Sequence, residues 1–207
     1  MVPFVRPLRP IKHPKSTVLH HIEPYYSWLS FYNSSDDELS PFHGKDYNHE
    51  QYTDTIYGYY IDPAWDAIGS ETLYIKLLFS NYDEGYAIIE LIGEWNDALH
   101  NDIMHLKRNI LEHMMLQGIN KFILLGENIL NFHGSDDSYY EEWFEEVEEG
   151  WIVGVNFRDF VLDEMEKYNI DSYINFGGQF DLMNWRTFKP QVFYGLVAEQ
   201  MERRLGS

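Results

Sequence analysis

The segment His133-Gly134-Ser135-Asp136-Asp137-Ser138 gathers hydroxyls, carboxylates and an imidazole into six residues. A serine here has two uses. It can cap the helix predicted in SDDSYYEEWFEEVEEG by accepting a backbone N–H, a contact of about 1 kcal/mol. It can also carry a phosphate of charge near −2, which the positive end of a helix favours. Against the phosphate stand Asp136, Asp137, Glu141, Glu142, Glu145, Glu146, Glu148 and Glu149, with no Lys or Arg among them. Capping by Ser135 or Asp137 is therefore the expected role, and Ser138 with Glu141 has the S-x-x-E spacing of a capping box. The row of acids is also a candidate face for a basic partner, although a solvated face is the commoner use of such a row.

Other constellations offer less. His20, His21 and Glu23 lie together, as do His43, Asp46, His49 and Glu50, but HExxH is absent. His105 and His113 can share a helix face, yet a pair is not a metal site. Convergence of His43, His49 and His133 with Asp136 is the remaining metal arrangement. No metal and no cofactor are expected. GENILNFHG fits neither the phosphate-binding loop nor G-x-G-x-x-G, and G-x-S-x-G is missing. The chain has no cysteine, which removes disulfides, thiol nucleophiles and cysteine-bound zinc.

The 207 residues carry 34 acids against 15 Lys and Arg, a formal charge of −19. Such a surface repels nucleic acid and anionic membranes. No apolar run reaches the roughly 20 residues of a membrane helix, and a cytoplasmic location is expected. The exception in charge is residues 1–22. They hold Arg6, Arg9, Lys12 and Lys15, no acid, and Pro3, Pro7, Pro10 and Pro14. This arm should be extended. It is suited to lying as a strap on the acidic body, or to serving as a polyproline ligand or docking arm.

The elements that must position these groups emerge after residue 72. TLYIKLLFSNYDEGYAIIELIGEW predicts two strands joined at Asn81–Gly85. NDALHNDIMHLKRNILEHMMLQG predicts one helix, capped by Asn96 or Asp97 and ended by Gly118, with an inner stripe of Leu99, Ile103, Leu106, Ile110 and Met114. NKFILLGEN predicts a buried strand. The next helix is expected to face inward through Tyr140, Phe144 and Val147, with Trp143 beside them. WIVGVNF predicts a strand, RDFVLDEMEKYNI a helix with Val161, Met165 and Tyr168 inward, and SYINFGG a last strand. PQVFYGLVAEQMERRL closes as a helix with Pro190 in its first turn. Strands alternating with helices imply an α/β fold with a mixed, largely parallel sheet and crossover helices. Residues 1–71, rich in Tyr, His and Pro, form an N-terminal extension packed on a main domain at 72–207. Its YGYY and EPYYSW aromatics are expected to pack the extension onto the sheet, with lining of a ligand groove as the alternative.

Three pieces, LIGEWNDALHNDIMHLKRNIL, GINKFILLGENILNFHGSDD and WIVGVNFRDFVLDEMEKYNIDSYINF, together resemble the STAS domain of sulfate-transporter tails and anti-sigma-factor antagonists over residues 72–177. The resemblance implies a non-catalytic regulatory or protein-interaction module. Its contact surface would be the loop after the central strand, His133, Gly134, Ser135, Asp136, Asp137 and Ser138, with Ser135 near the family's phosphorylated serine. Here the family's Asp-Ser-Ser-Gly is replaced by His133-Gly134-Ser135-Asp136-Asp137. Arg158, in the neighbouring strand-to-helix loop, is placed to anchor a partner carboxylate. The expected partner is a protein. The alternatives are a small-ligand binder or enzyme with a pocket between the aromatic extension and the sheet, and a homo-oligomer sealed through Phe193, Leu196, Val197 and Met201.

Overall fold

The computed structural model describes residues 22–206, so the basic arm with His20 and His21 lies outside the described residues. A 3-10 turn at Tyr26–Trp28 is followed by a small hairpin, β1 (Thr55–Ile56) and β2 (Tyr59–Tyr60). The main sheet contains β3 (Asp66–Ala67), β4 (Leu73–Asn81), β5 (Tyr86–Asn96), β6 (Lys121–His133) and β7 (Trp151–Val155), in that spatial order. β3, β4 and β5 pair antiparallel, whereas β5, β6 and β7 pair parallel, which is the expected mixed α/β sheet. Ile88, Ile123 and Val153 stand abreast across the three parallel strands.

Parallel strands need cover on both faces, and their sequences accordingly run apolar without interruption. Alternate side chains divide between two cores. Ala87, Ile89, Leu91, Phe122, Leu124 and Ile152 face helices that cross on one side. Tyr86, Ile88, Ile123, Leu125, Val153 and Val155 face the other, where Trp28, Phe180, Trp185 and the closing helix lie. The first layer consists of α1 (Asp97–His100), α2 (Asp102–Leu106), a π turn at Lys107–Leu111, α3 (Glu112–Leu116), α4 (Ser138–Glu146) and α5 (Asp159–Lys167). α6 (Pro190–Leu205) belongs to the second layer.

The turn between β4 and β5 ends at Gly85 with φ of 69°, the left-handed conformation glycine adopts without penalty. Asn96 caps α1 as expected, its side chain accepting the Leu99 N–H at 3.0 Å. The single helix expected at 96–118 is broken, however. Asn101 is left-handed at φ 53° and serves as α1's last turn and α2's start. The break swings Leu99 out of the stripe, leaving it 81% exposed, while Ile103, Leu106, Ile110 and Met114 remain buried.

Further departures are local. β6 runs on to His133, because Asn128–His133 continue pairing with β5 through two register shifts. Phe144 points outward instead of inward, and Tyr168 lies at the rim, its ring over Gly134 and 6.4 Å from that of the buried Phe132. SYINFGG makes one isolated parallel bridge, Asn175 to Val153, and the rest is irregular. Of the face expected to seal an oligomer, Phe193, Val197 and Met201 are buried against the chain's own sheet, and Leu196 is half-buried.

These placements separate two substitutions. Ile123→Ala should lower the unfolding free energy in urea by about 2–5 kcal/mol, as truncation in a close-packed core does. Leu99→Ala should stay within about 0.5 kcal/mol, whereas a single unbroken helix would make it a core truncation.

Candidate functional site

β6 ends at His133, and the chain turns through four residues, Gly134 to Asp137, into α4. Each residue of that turn has a defined place. Gly134 is buried with its backbone against the Tyr168 ring; a Cβ there would lie 2.3 Å from a ring carbon. Ser135 and Asp136 are exposed. The Asp136 carboxylate accepts the Ser138 N–H at 3.1 Å and also the Ser138 hydroxyl. Asp137 accepts from Asn169 Nδ2 and the Tyr173 hydroxyl, both at 3.1 Å. The helix end is thus bonded by Asp136. Asp137 occupies the cap position without a side-chain cap bond, Ser138 is the first helical residue, and the expected capping by Ser135 or by a Ser138–Glu141 box does not form. Hydrogen bonds from Ser138 hold the Asp136 carboxyl below its ordinary value, and those from Asn169 and Tyr173 do the same for Asp137. Both stay ionised.

His133 is joined to the sheet. Its Nε2 lies 2.8 Å from Glu94 Oε1 and 2.9 Å from Asn131 Nδ2, and Glu94 Oε2 accepts the Tyr57 hydroxyl at 2.8 Å. His43, His49, His133 and Asp136 make no ligand group among the described residues.

Arg158 is not brought to this loop. It precedes α5, and its Nε donates to the Glu127 carbonyl at 3.2 Å. That carbonyl lies six residues before His133 in β6, a separation on the order of 20 Å along a strand.

The acidic row on α4 divides in two. Glu142 and Glu146 turn toward the first helical layer, where the buried Lys107 ammonium lies 3.2 and 2.8 Å from them and 3.1 Å from Glu112. Arg108 adds contacts to Glu112 and, at 3.0 Å, to Glu142. The three carboxylates converge as a cation site would, and the cation they hold is Lys107. Burial opposes that charge, but the three glutamates more than offset it and push the ammonium pKa up. Glu141, Glu145, Glu148 and Glu149 remain exposed. Among them Phe144 is 45% exposed, with its ring 6.0 Å from that of Tyr173, edge to face. Tyr173 thereby connects the loop, through Asp137, to the aromatic centre of the acidic face.

Three carboxylates deep in the fold, Asp97, Asp102 and Glu90, have roles that the sequence did not assign to them. Asp97 accepts from the Tyr140 hydroxyl at 2.6 Å, the Ile103 N–H at 2.8 Å and Trp95 Nε1 at 3.1 Å. Its neighbour Asp102 accepts the Asn96 N–H at 2.7 Å and the Thr72 hydroxyl at 2.9 Å. Each thus bonds the backbone at the other's helix start, which is why the helix must break at Asn101. The repeated pair Asn96-Asp97 and Asn101-Asp102 is a doubled helix-start signal that could have shown the break. Glu90, on the second face, accepts from the Tyr25 N–H at 2.9 Å and from Arg186 at 3.3 Å. Glu127 takes Trp185 Nε1 and the other arm of Arg186, each at 2.6 Å. Burial raises Glu90 to about 7 and Asp97 to about 6, with Glu127 and Asp102 respectively adding to the rise.

No helix among the described residues is long and apolar enough to cross a membrane. No protein-family model matches the chain, and no curated protein matches it. Among solved structures it is similar to the anti-sigma-factor antagonist SpoIIAA in its unphosphorylated form, at 12% identity and a TM-score of 0.40, covering 64% of this chain and 97% of that one. It is also similar to the Bacillus cell-fate determinant SpoIIAA in its phosphorylated form, at 11% identity and a TM-score of 0.35, covering 51% and 92%. At these scores the STAS resemblance is a weak likeness of pattern and carries nothing about residues or activity.

The two raised carboxyls give stability a pH dependence of known sign. A carboxyl whose folded pKa exceeds its unfolded value binds more protons when folded, so stability is lost as pH rises between the two. From ordinary values of 4.5 for Glu90 and 3.8 for Asp97, the unfolding free energy should fall between about pH 4 and pH 7. The fall should be on the order of a few kcal/mol. Urea titrations of Glu90→Gln and Asp97→Asn across that range should each show a flatter profile than the parent.

Proposed function

We propose that the chain is a non-catalytic protein-interaction module whose contact surface is the His133–Ser138 loop together with the outer face of α4. The observation that carries this reading is the combination of exposure with fixed geometry. Ser135 and Asp136 are open, while Asp136, Asp137 and Gly134 are each held by named neighbours. A surface already ordered loses little conformational freedom on binding. Phe144 supplies an exposed aromatic anchor of the kind that dominates interface energetics. Glu141, Glu145 and Glu148 around it favour a partner that is basic with an apolar recess, and charge of this kind speeds encounter.

Ser135 is the residue of this surface we assign to modification. Its exposure admits a kinase, and a phosphate would add about two negative charges beside Asp136 and Asp137. The modification would act on partner choice through charge, because the loop is already held by its own hydrogen bonds. Arg158 has no part in the surface, since it sits at the far end of α5.

Purification of the chain from its native cell, beside Phe144→Ala and Glu141→Lys/Glu145→Lys variants, checks the surface. A partner that co-purifies with the parent should weaken at least about tenfold with either variant, the scale of a hot-spot loss. It should be retained by Leu116→Ser, an exposed position outside this surface. Equal retention by all variants removes the proposal. Intact mass across growth states should show one phosphate increment that Ser135→Ala abolishes.

A further inference from the structure

β6 outruns the strand on its outer side. It spans Lys121–His133, whereas β7 pairs with it only from Lys121 to Leu125. Past Leu125 the strand rests on β5 alone, and among the described residues no other strand reaches it. Gly126–His133 therefore present an open edge. Two backbone groups of this stretch bond side chains: the Glu127 carbonyl accepts Arg158 Nε at 3.2 Å, and the Phe132 N–H donates to Asn131 Oδ1 at 3.0 Å. An unpaired edge is a template for a further strand, and proteins commonly blunt such edges with lysine or proline. Gly126–His133 contain neither.

The ground beside the edge is shaped to receive side chains. An added strand would lie about 4.8 Å from β6, with its side chains alternating between the two faces. On one face the half-buried Leu130 lines an apolar cavity of about 220 Å³ together with Tyr57, Tyr59, Tyr60 and Ile92. The three tyrosines are exposed, so the cavity is open to a visitor. On the other face stands α5, with the Tyr168 ring 6.4 Å from that of Phe132.

The two ends of the edge differ in charge. The exposed Arg158 stands beside the Glu127 carbonyl at one end. At the other end the chain passes through His133 to Asp136, whose carboxyl is held below its ordinary value by bonds from Ser138. The ends are on the order of 20 Å apart, the reach of about six extended residues.

We propose that the open edge of β6 receives an extended peptide segment of a partner protein, paired antiparallel to it. The segment carries apolar side chains at alternate positions, a basic residue at its start beside Asp136 and an acidic residue at its end beside Arg158. Main-chain hydrogen bonds supply affinity and the tyrosine-lined cavity supplies selectivity, as in other strand additions. This contact goes beyond the surface proposed on α4, and either can fail without the other.

The probe is a capped heptapeptide, Lys-Val-Thr-Val-Thr-Val-Glu, added to the isotope-labelled full chain. Docking predicts shifted amide signals at Asn128–His133 and hydrogen exchange slowed there by at least about tenfold. N-methylation of the valine amides in one probe and of the threonine amides in another separates the peptide's two edges. One methylated probe should bind at least about tenfold more weakly, having lost two or more backbone hydrogen bonds, and the other should bind as the parent peptide does. Arg158→Glu should weaken the parent peptide about twofold to fivefold, the scale of an exposed ion pair, and a probe ending in lysine should regain that loss. No response at millimolar peptide, equal binding by the two methylated probes, shifts confined to other surfaces, or unchanged binding by Arg158→Glu each overturn the proposal. So does protection of the same amides that grows with protein concentration in the absence of peptide, which would make a second copy the occupant.

Discussion

The parallel pairing of β5, β6 and β7 governs the rest of the molecule. Three neighbouring strands present apolar side chains on both faces, with Phe122 and Leu124 on one side and Ile123 and Leu125 on the other. A sheet of this composition cannot leave either face wet. One cover comes from the crossover segments that parallel topology requires. The other comes from chain outside the crossovers, from Trp28 before the sheet and from Trp185, Phe193 and Val197 after it. The aromatic contacts between Tyr25, Trp28 and Trp185, with centroids 4.8 to 5.6 Å apart, join those two outlying pieces to each other. The stretch around Tyr25 and Trp28 is thus structural cover, and the edge strand β3 that follows it extends the same sheet.

Polar groups inside this frame serve as fasteners between layers. Glu90 ties the Tyr25 backbone to Arg186, which bring the two outlying pieces onto the sheet. Lys107 ties α4 to the helix that follows β5. Asp66, with Lys76 at 3.2 Å and Lys45 at 2.7 Å, ties the loop around residue 45 to the edge of the sheet. A buried charge costs much unless partnered, and each of these has partners drawn from distant sequence.

Strands and helices with one strong period are legible in the residues. The β4–β5 hairpin follows from two β-rich runs around Asp83-Glu84-Gly85, and the β7 strand from WIVGVNF. What is not legible is what partners across space decide. β6 continues through Asn128 and Asn131 because β5 supplies the ladder, although asparagine disfavours strands. The break at Asn101 depends on reciprocal bonds from Asp97 and Asp102. Phe144 belongs to the apolar stripe by spacing, but Trp143 fills the interior, and that choice is made by the Phe122 ring it meets at 5.4 Å. Within the loop, the exposed Ser135 and the cluster of acids are legible. The clamp on Asp137 is not, since Asn169 and Tyr173 lie more than thirty residues away.

The second cover has a consequence for biosynthesis. The face formed by Ile88, Ile123 and Val153 is complete only when α6 lies across it, and α6 spans residues 190–205. While the chain emerges from the ribosome, the helices on the first side can settle against strands already made, but the opposite side stays open to solvent until those residues have been translated. Exposed strand faces of this kind invite association. The nascent chain therefore passes through a window in which a bound chaperone would protect it, and that window closes when Phe193, Val197 and Met201 arrive.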